Sequence, residues 1–85
     1  MTKYKEEFTT YNDESNQIAA NECNAIAFIN QSITGEVCLI NNLVLQPNES
    51  YISNFNANES NTTIYNVSWI GNVIGKLIII KKVLA

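Results

Sequence analysis

A chain of 85 residues with a formal charge of −3, a pI near 4.6 and no histidine is one domain at most. At this length folding buries only about 60 to 65% of the surface of the unfolded chain, so contacts with other subunits are expected to add stability. The acidity excludes the clustered Lys and Arg that phosphate contacts require, and two cysteines without histidine cannot complete a tetrahedral zinc site; neither a nucleic-acid partner nor a cofactor is expected.

Residues 1–22, MTKYKEEFTTYNDESNQIAANE, are polar, with Tyr4, Phe8, Tyr11 and Ile18 as the large apolar groups. Spacings of four, three and seven put these on one helical face. The Thr9-Thr10 pair and the polar run 12–16 oppose a long helix, so the segment reads as an extended arm with at most a short helical turn. Tyr4, Phe8 and Tyr11 are then candidate contacts with a neighbouring subunit. The opening MTKYKEEFTTYNDES has no apolar core region or small-residue cleavage site, which leads to an expectation of synthesis without export, in a reducing cytoplasm. On that expectation the Asn-x-Ser/Thr matches at Asn30, Asn48, Asn58, Asn61 and Asn66 are unglycosylated. The asparagine bias is read as codon usage.

From residue 23 the pattern changes to short apolar runs between turn residues, the mark of an all-β domain. Residues 25–30 (AIAFIN) form a first strand, and Ser32-Ile33-Thr34-Gly35 turns the chain, with Gly35 free to take positive φ. Residues 36–40 and 43–46 are both strand-like. Between them Asn41-Asn42 fits a two-residue type I′ turn, which needs positive φ twice, and asparagine tolerates that region best after glycine. Pro47-Asn48 follows the same logic, with proline presetting one turn position and asparagine supplying positive φ at the next. Residues 50–55 are another strand, 56–62 a polar loop, and 63–70 a strand with Tyr65, Val67 and Trp69 on one face and Asn66 and Ser68 on the other. Gly71-Asn72 turn the chain into a final strand, 76–83. The C-terminal run WIGNVIGKLIIIKKVLA is too short and too rich in lysine for a membrane span. Its Lys76 and Lys82 share a strand face while Lys81 points oppositely, so the three make no basic patch.

If 31–35 joins two antiparallel strands, Cys38 lies opposite Phe28 and about five positions from Cys23, too far for a bridge; two free thiols are expected. Two strands are apolar on both faces: Ala27 and Ile29 oppose Ile26 and Phe28, and Ile78 and Ile80 oppose Leu77 and Ile79. A sandwich with one wet face has no need of this: either the strands are central in a closed barrel or their outer face meets another subunit, and for so small a chain subunit contact is expected. No nucleophile and base pair can be named, and Glu36, Glu49 and Glu59 fall at turns, where carboxylates are solvated; an enzyme is not expected. Tyr51, Phe55, Tyr65 and Trp69 admit an aromatic platform for a sugar ring, against which their alternation reads as core packing.

Together the segment FINQSITGEVCLINNLVLQPNESYIS and the strands TIYNVSW and KLIIIKKV resemble small virion-associated proteins of phages infecting Bacteroidetes, over residues 24–83. In that pattern a strand ending in Asn precedes a Thr-Gly loop, an Ile-Asn hairpin and a Leu-x-Pro-Gly-Glu-Ser turn. Asn42 and Asn48 stand here where the pattern has glycine. The resemblance implies a structural protein of the particle: a minor capsid, penton, decoration or fibre-base subunit, located in the virion and held by other virion proteins and by its own copies. The expected architecture is a small antiparallel β-sandwich or barrel of about six strands (23–85) with an N-terminal arm (1–22). A carbohydrate- or host-surface-binding module is the alternative function.

Overall fold

The computed structural model describes residues 3–12, 15–56, 59–71 and 73–84. These form eight strands and no helix: β1 (Tyr4–Tyr11), β2 (Ser15–Ala19), β3 (Ala25–Asn30), β4 (Cys38–Ile40), β5 (Leu43–Leu45), β6 (Ser50–Asn54), β7 (Ile64–Trp69) and β8 (Leu77–Leu84).

Strand β1 pairs with β8, β2 with β7, β3 with β6 and β4 with β5, all antiparallel. That is one long hairpin with Asn41-Asn42 at its tip. Two further antiparallel pairings, β3 with β8 and β4 with β7, roll the hairpin into two four-stranded sheets ordered β1-β8-β3-β6 and β2-β7-β4-β5. Eight antiparallel strands wound in this order make a jelly roll. The core lies between the sheets: Ile26, Phe28, Leu77 and Ile79 from one meet Ile40, Tyr65, Val67 and Trp69 from the other. Phe28 joins the two layers, edge-on to Tyr65 at 5.0 Å and 62°, a geometry that adds about 0.5–1.5 kcal/mol beyond the area buried.

All six expected strands are present, most of them trimmed by one or two residues. The turns behave as their chemistry requires. Asn41 and Asn42 have φ of 48° and 70°, Asn48 69°, and Gly35 90°. Gly71 is at 83°, and its partner Asn72 lies outside the described residues.

Two expectations are corrected. The segment 1–22 is not an arm: Tyr4–Tyr11 runs in full register along Leu77–Leu84, and Ser15–Ala19 along Ile64–Ser68. With a strand period of two, Tyr4 and Phe8 share one face and Tyr11 takes the other. Tyr11 is therefore in the core, 5% exposed, and is no contact residue, while Tyr4 is half-buried and Phe8 exposed. The second correction concerns the chain between β3 and β4. It crosses from one sheet to the other instead of forming a hairpin, so Cys38 sits opposite Leu45 and Trp69, and Phe28 opposite Tyr51 and Ile79. The two thiols are nonetheless free and buried.

Candidate interaction surface

The outer face of the β1-β8-β3-β6 sheet carries an unbroken apolar row. Phe8 lies opposite Ile80, Ile80 opposite Ala27, and Ala27 opposite Ile52, one residue from each strand. Phe8 is 67% and Ile52 59% exposed, with Ile80 and Ala27 between them half-buried. On one side runs Thr10, Ile78, Ile29 and Ser50, and on the other Glu6, Lys82, Ala25 and Asn54. The Lys82 ammonium lies over the Tyr4 ring, 4.9 Å from its centroid, which holds that charge at the rim of the apolar band. Lys81, on the opposite side of the same strand, donates from Nζ to Ala19 O at 2.7 Å.

The other sheet presents a different exterior. Gln17 Nε2 donates to Asn66 Oδ1 at 3.2 Å, and Ser68 continues the polar strip, with Leu39 and Val44 at its margin. The outward residues of this sheet thus mix polar groups with Ala19, Ile64, Leu39 and Val44, and among the described residues no apolar row crosses all four of its strands. The apolar outward residues of β3 and β8 include Ala27, Ile29, Ile78 and Ile80, on the two strands read from the sequence as apolar on both faces. Phe8 and Ile52 complete the row; Ile52 lies between the half-buried Tyr51 and Ser53, and YKEEFTTY carries no alternation that would have placed Phe8.

Both ends of the sandwich are closed by buried asparagines that sequence reasoning missed. Asn30, fully buried, donates from Nδ2 to Glu36 O and Leu45 O, each at 2.9 Å, and accepts at Oδ1 from Ser32 N–H. Its backbone bonds to Asn48 and Glu49. One side chain therefore ties the β3–β4 crossing to β5 and its following turn. At the opposite end Asn24 Nδ2 donates to Asn56 O and Glu59 O, and Asn61 Nδ2 to the Tyr65 hydroxyl at 2.7 Å. The turn carboxylates are also engaged: Glu49 accepts from Gln46 N–H, Glu59 from Asn56 N–H, and Glu36 from the Thr34 hydroxyl.

A cleft of about 570 Å³ opens at the Asn30 end, lined by Thr10, Ser32, Ile33, Glu36, Ile74 and Lys76. Several of its polar groups bond within the chain, including Ser32 Oγ, which accepts from Lys76 N–H at 3.1 Å. Of the four aromatics considered as a sugar platform, Tyr65 and Trp69 are core residues, 4% and 7% exposed. Tyr51 packs against the core and Phe55 is exposed. Burial pushes the Cys38 thiol up to about 11, and burial also raises Cys23, with Lys81 partly offsetting it. Both thiols are held in the neutral, weakly nucleophilic form. Among the described residues no group of three or more His, Cys, Asp or Glu is placed to hold a metal ion. No helix among them is long and apolar enough to cross a membrane.

No protein-family model matches the chain, and neither the curated proteins nor the solved structures compared with it give a match.

Proposed function

We propose that this chain is a non-enzymatic structural subunit of a phage particle, a minor capsid, penton, decoration or fibre-base protein held by contacts with other virion proteins and with its own copies. The observation that carries this reading is the apolar row Phe8, Ile80, Ala27 and Ile52 across the whole outer face of one sheet. A lone small domain gains nothing from showing that surface to water, whereas a subunit in a symmetric assembly covers it. The pattern resemblance over residues 24–83 supports the same assignment. So does the jelly-roll winding, an architecture that viral capsid domains share with lectins and cupins. Because that fold hosts several functions, the weight rests on the face. Mass spectrometry and electron microscopy of particles purified from cells carrying the gene test it. The chain is expected in the particle, with its β1-β8-β3-β6 sheet against neighbouring protein density; particles that lack the chain overturn the assignment.

A further inference from the structure

We infer that the occupant of the apolar face is a second copy of this chain, packed sheet to sheet about a two-fold axis that runs along the strands between β8 and β3. The inference rests on reading this face as a contact surface and names its partner. A two-fold interface must be complementary to itself, and the register meets that condition in the two rows that hold the apolar side chains. An axis in this position lays β1 over the partner's β6 and β8 over the partner's β3. In the central row Phe8 then covers the partner's Ile52, and Ile80 covers the partner's Ala27, a large side chain over a small one. In the next row Ile78 meets the partner's Ile29, and Thr10 meets the partner's Ser50. Apolar residues fall on apolar and polar on polar.

Charge is compatible with the same arrangement. Among the described outward residues of these four strands the charged groups are Glu6 and Lys82, which lie opposite each other in the sheet and cancel. In the dimer Glu6 faces the partner's Asn54 and Lys82 the partner's Ala25; the two Lys82 flank the axis on neighbouring strands, so this charged row lies at the margin of the contact and the two apolar rows carry it. Area sets the strength. Four strands about 4.8 Å apart and up to eight residues long give a face of about 19 by 27 Å. That is about 500 Å² per copy and about 1,000 Å² in total, the lower bound for a specific interface. The dimer is accordingly one that forms at raised concentration or within an assembly.

The test is charge swapping at Phe8 and Ile52, exposed outer-face positions on the two edge strands of the sheet. Phe8 and Ile52 are separated within one chain by three strand spacings, about 14 Å, so groups placed there cannot pair internally. Sedimentation equilibrium on the full chain is expected to show a dimer whose dissociation constant rises at least tenfold in Phe8→Glu and in Ile52→Lys. The double variant, which sets each new carboxylate against the partner's new ammonium, is expected to regain dimer at low salt and lose it at high salt. Circular dichroism melting checks that each variant is folded. A wild-type chain that stays monomeric at millimolar concentration, or a double variant no better than the singles, overturns the inference. Particles that contain a chain monomeric in solution, with the face against a different protein, overturn the dimer and leave the virion assignment standing. A dimer with the predicted rescue from a chain absent from particles does the reverse.

Discussion

Asn41 and Asn66 hold each other by two hydrogen bonds: Asn41 N–H donates to Asn66 O at 3.0 Å, and Asn66 N–H donates to Asn41 Oδ1 at 2.8 Å. The side chain at the tip of the long hairpin is thus bonded to the neighbouring strand β7, in addition to supplying positive φ. Asn42, the second turn residue, supplies the conformation. The two are therefore not equivalent. Asn42→Gly is expected to be neutral or to raise stability by up to about 1 kcal/mol, since glycine enters this region without strain. Asn41→Gly is expected to cost about 1 kcal/mol for the lost bond. Urea denaturation of the two single variants checks the difference. Equal stabilities would remove the role assigned to Asn41.

Glu22 has a φ of 62° and follows Asn21 at 57° in the turn closed by Cys23 N–H to Ala20 O. Glutamate, unlike asparagine, gains nothing from that conformation. Glu22→Gly should raise the unfolding free energy by roughly 0.5–1 kcal/mol, and an unchanged or lowered midpoint in the same urea experiment would show that its side chain makes a contribution of its own.

At Asn30 the donor faces two carbonyls and the acceptor faces an N–H, so shape alone cannot replace it. Asn30→Asp puts an acceptor against both carbonyls and is expected to cost about 3 kcal/mol or more. Asn30→Leu leaves the same groups unpaired and should lose a comparable amount. Thermal melts that place either variant within a degree of the parent would contradict the bridging role.

What the sequence made legible follows from the strength of its alternation. Residues 64–69 alternate cleanly, residues 25–30 stand out as an apolar run between turn residues, and both read correctly. Strand β1 did not, because only Tyr11 of its eight residues reaches the core, and charged Lys5, Glu6 and Glu7 are typical of an edge strand, where side chains of both faces meet water. With so little burial pattern, nothing in residues 4–11 showed which strand they pair with, and the segment read as an extended arm. The crossing between β3 and β4 was illegible for another reason: the loop residues that join strands within a sheet also join strands across a sandwich. Asn30, Asn24 and Asn61 were hidden among the many surface asparagines, since buried polarity declares itself only when its partners are in view. The contact face was half legible: its two central strands were read from apolar residues on both sides, and its edges waited on β1 and β6.

Gly75 sits under Trp69. A Cβ there would meet the indole at 2.6 and 2.8 Å and crowd Ser32 Oγ as well. Gly75→Ala is expected to destabilise by about 1–3 kcal/mol through overpacking, since a ring held in the core cannot move away. Indole fluorescence during unfolding reports the effect at the site itself, and a parent-like midpoint would show that the β7–β8 loop yields more readily than this contact implies.

Cys38 gives a pH signature. Its thiol ordinarily titrates at 9.0 and is pushed by burial up to about 11. A raised folded value means that the stability tied to the neutral thiol is fully present below pH 9 and is lost as pH rises through 11, by at most about 3 kcal/mol. Comparing the parent with Cys38→Ala removes the contributions that the two proteins share. The difference in unfolding free energy between the two proteins should shrink across that window; a constant difference would contradict the burial of the thiol.

Hydroxyl-radical footprinting across a concentration series tests the contact face most directly, because it reports which exposed apolar side chains become covered. Phe8 and Ile52 lie on the face, whereas Ile33 and Ile64 are exposed elsewhere, at 93% and 55%. As the chain associates, Phe8 and Ile52 are expected to lose reactivity together while Ile33 and Ile64 keep theirs. Protection of Ile33 or Ile64 with Phe8 and Ile52 still reactive would contradict the assignment of the contact face.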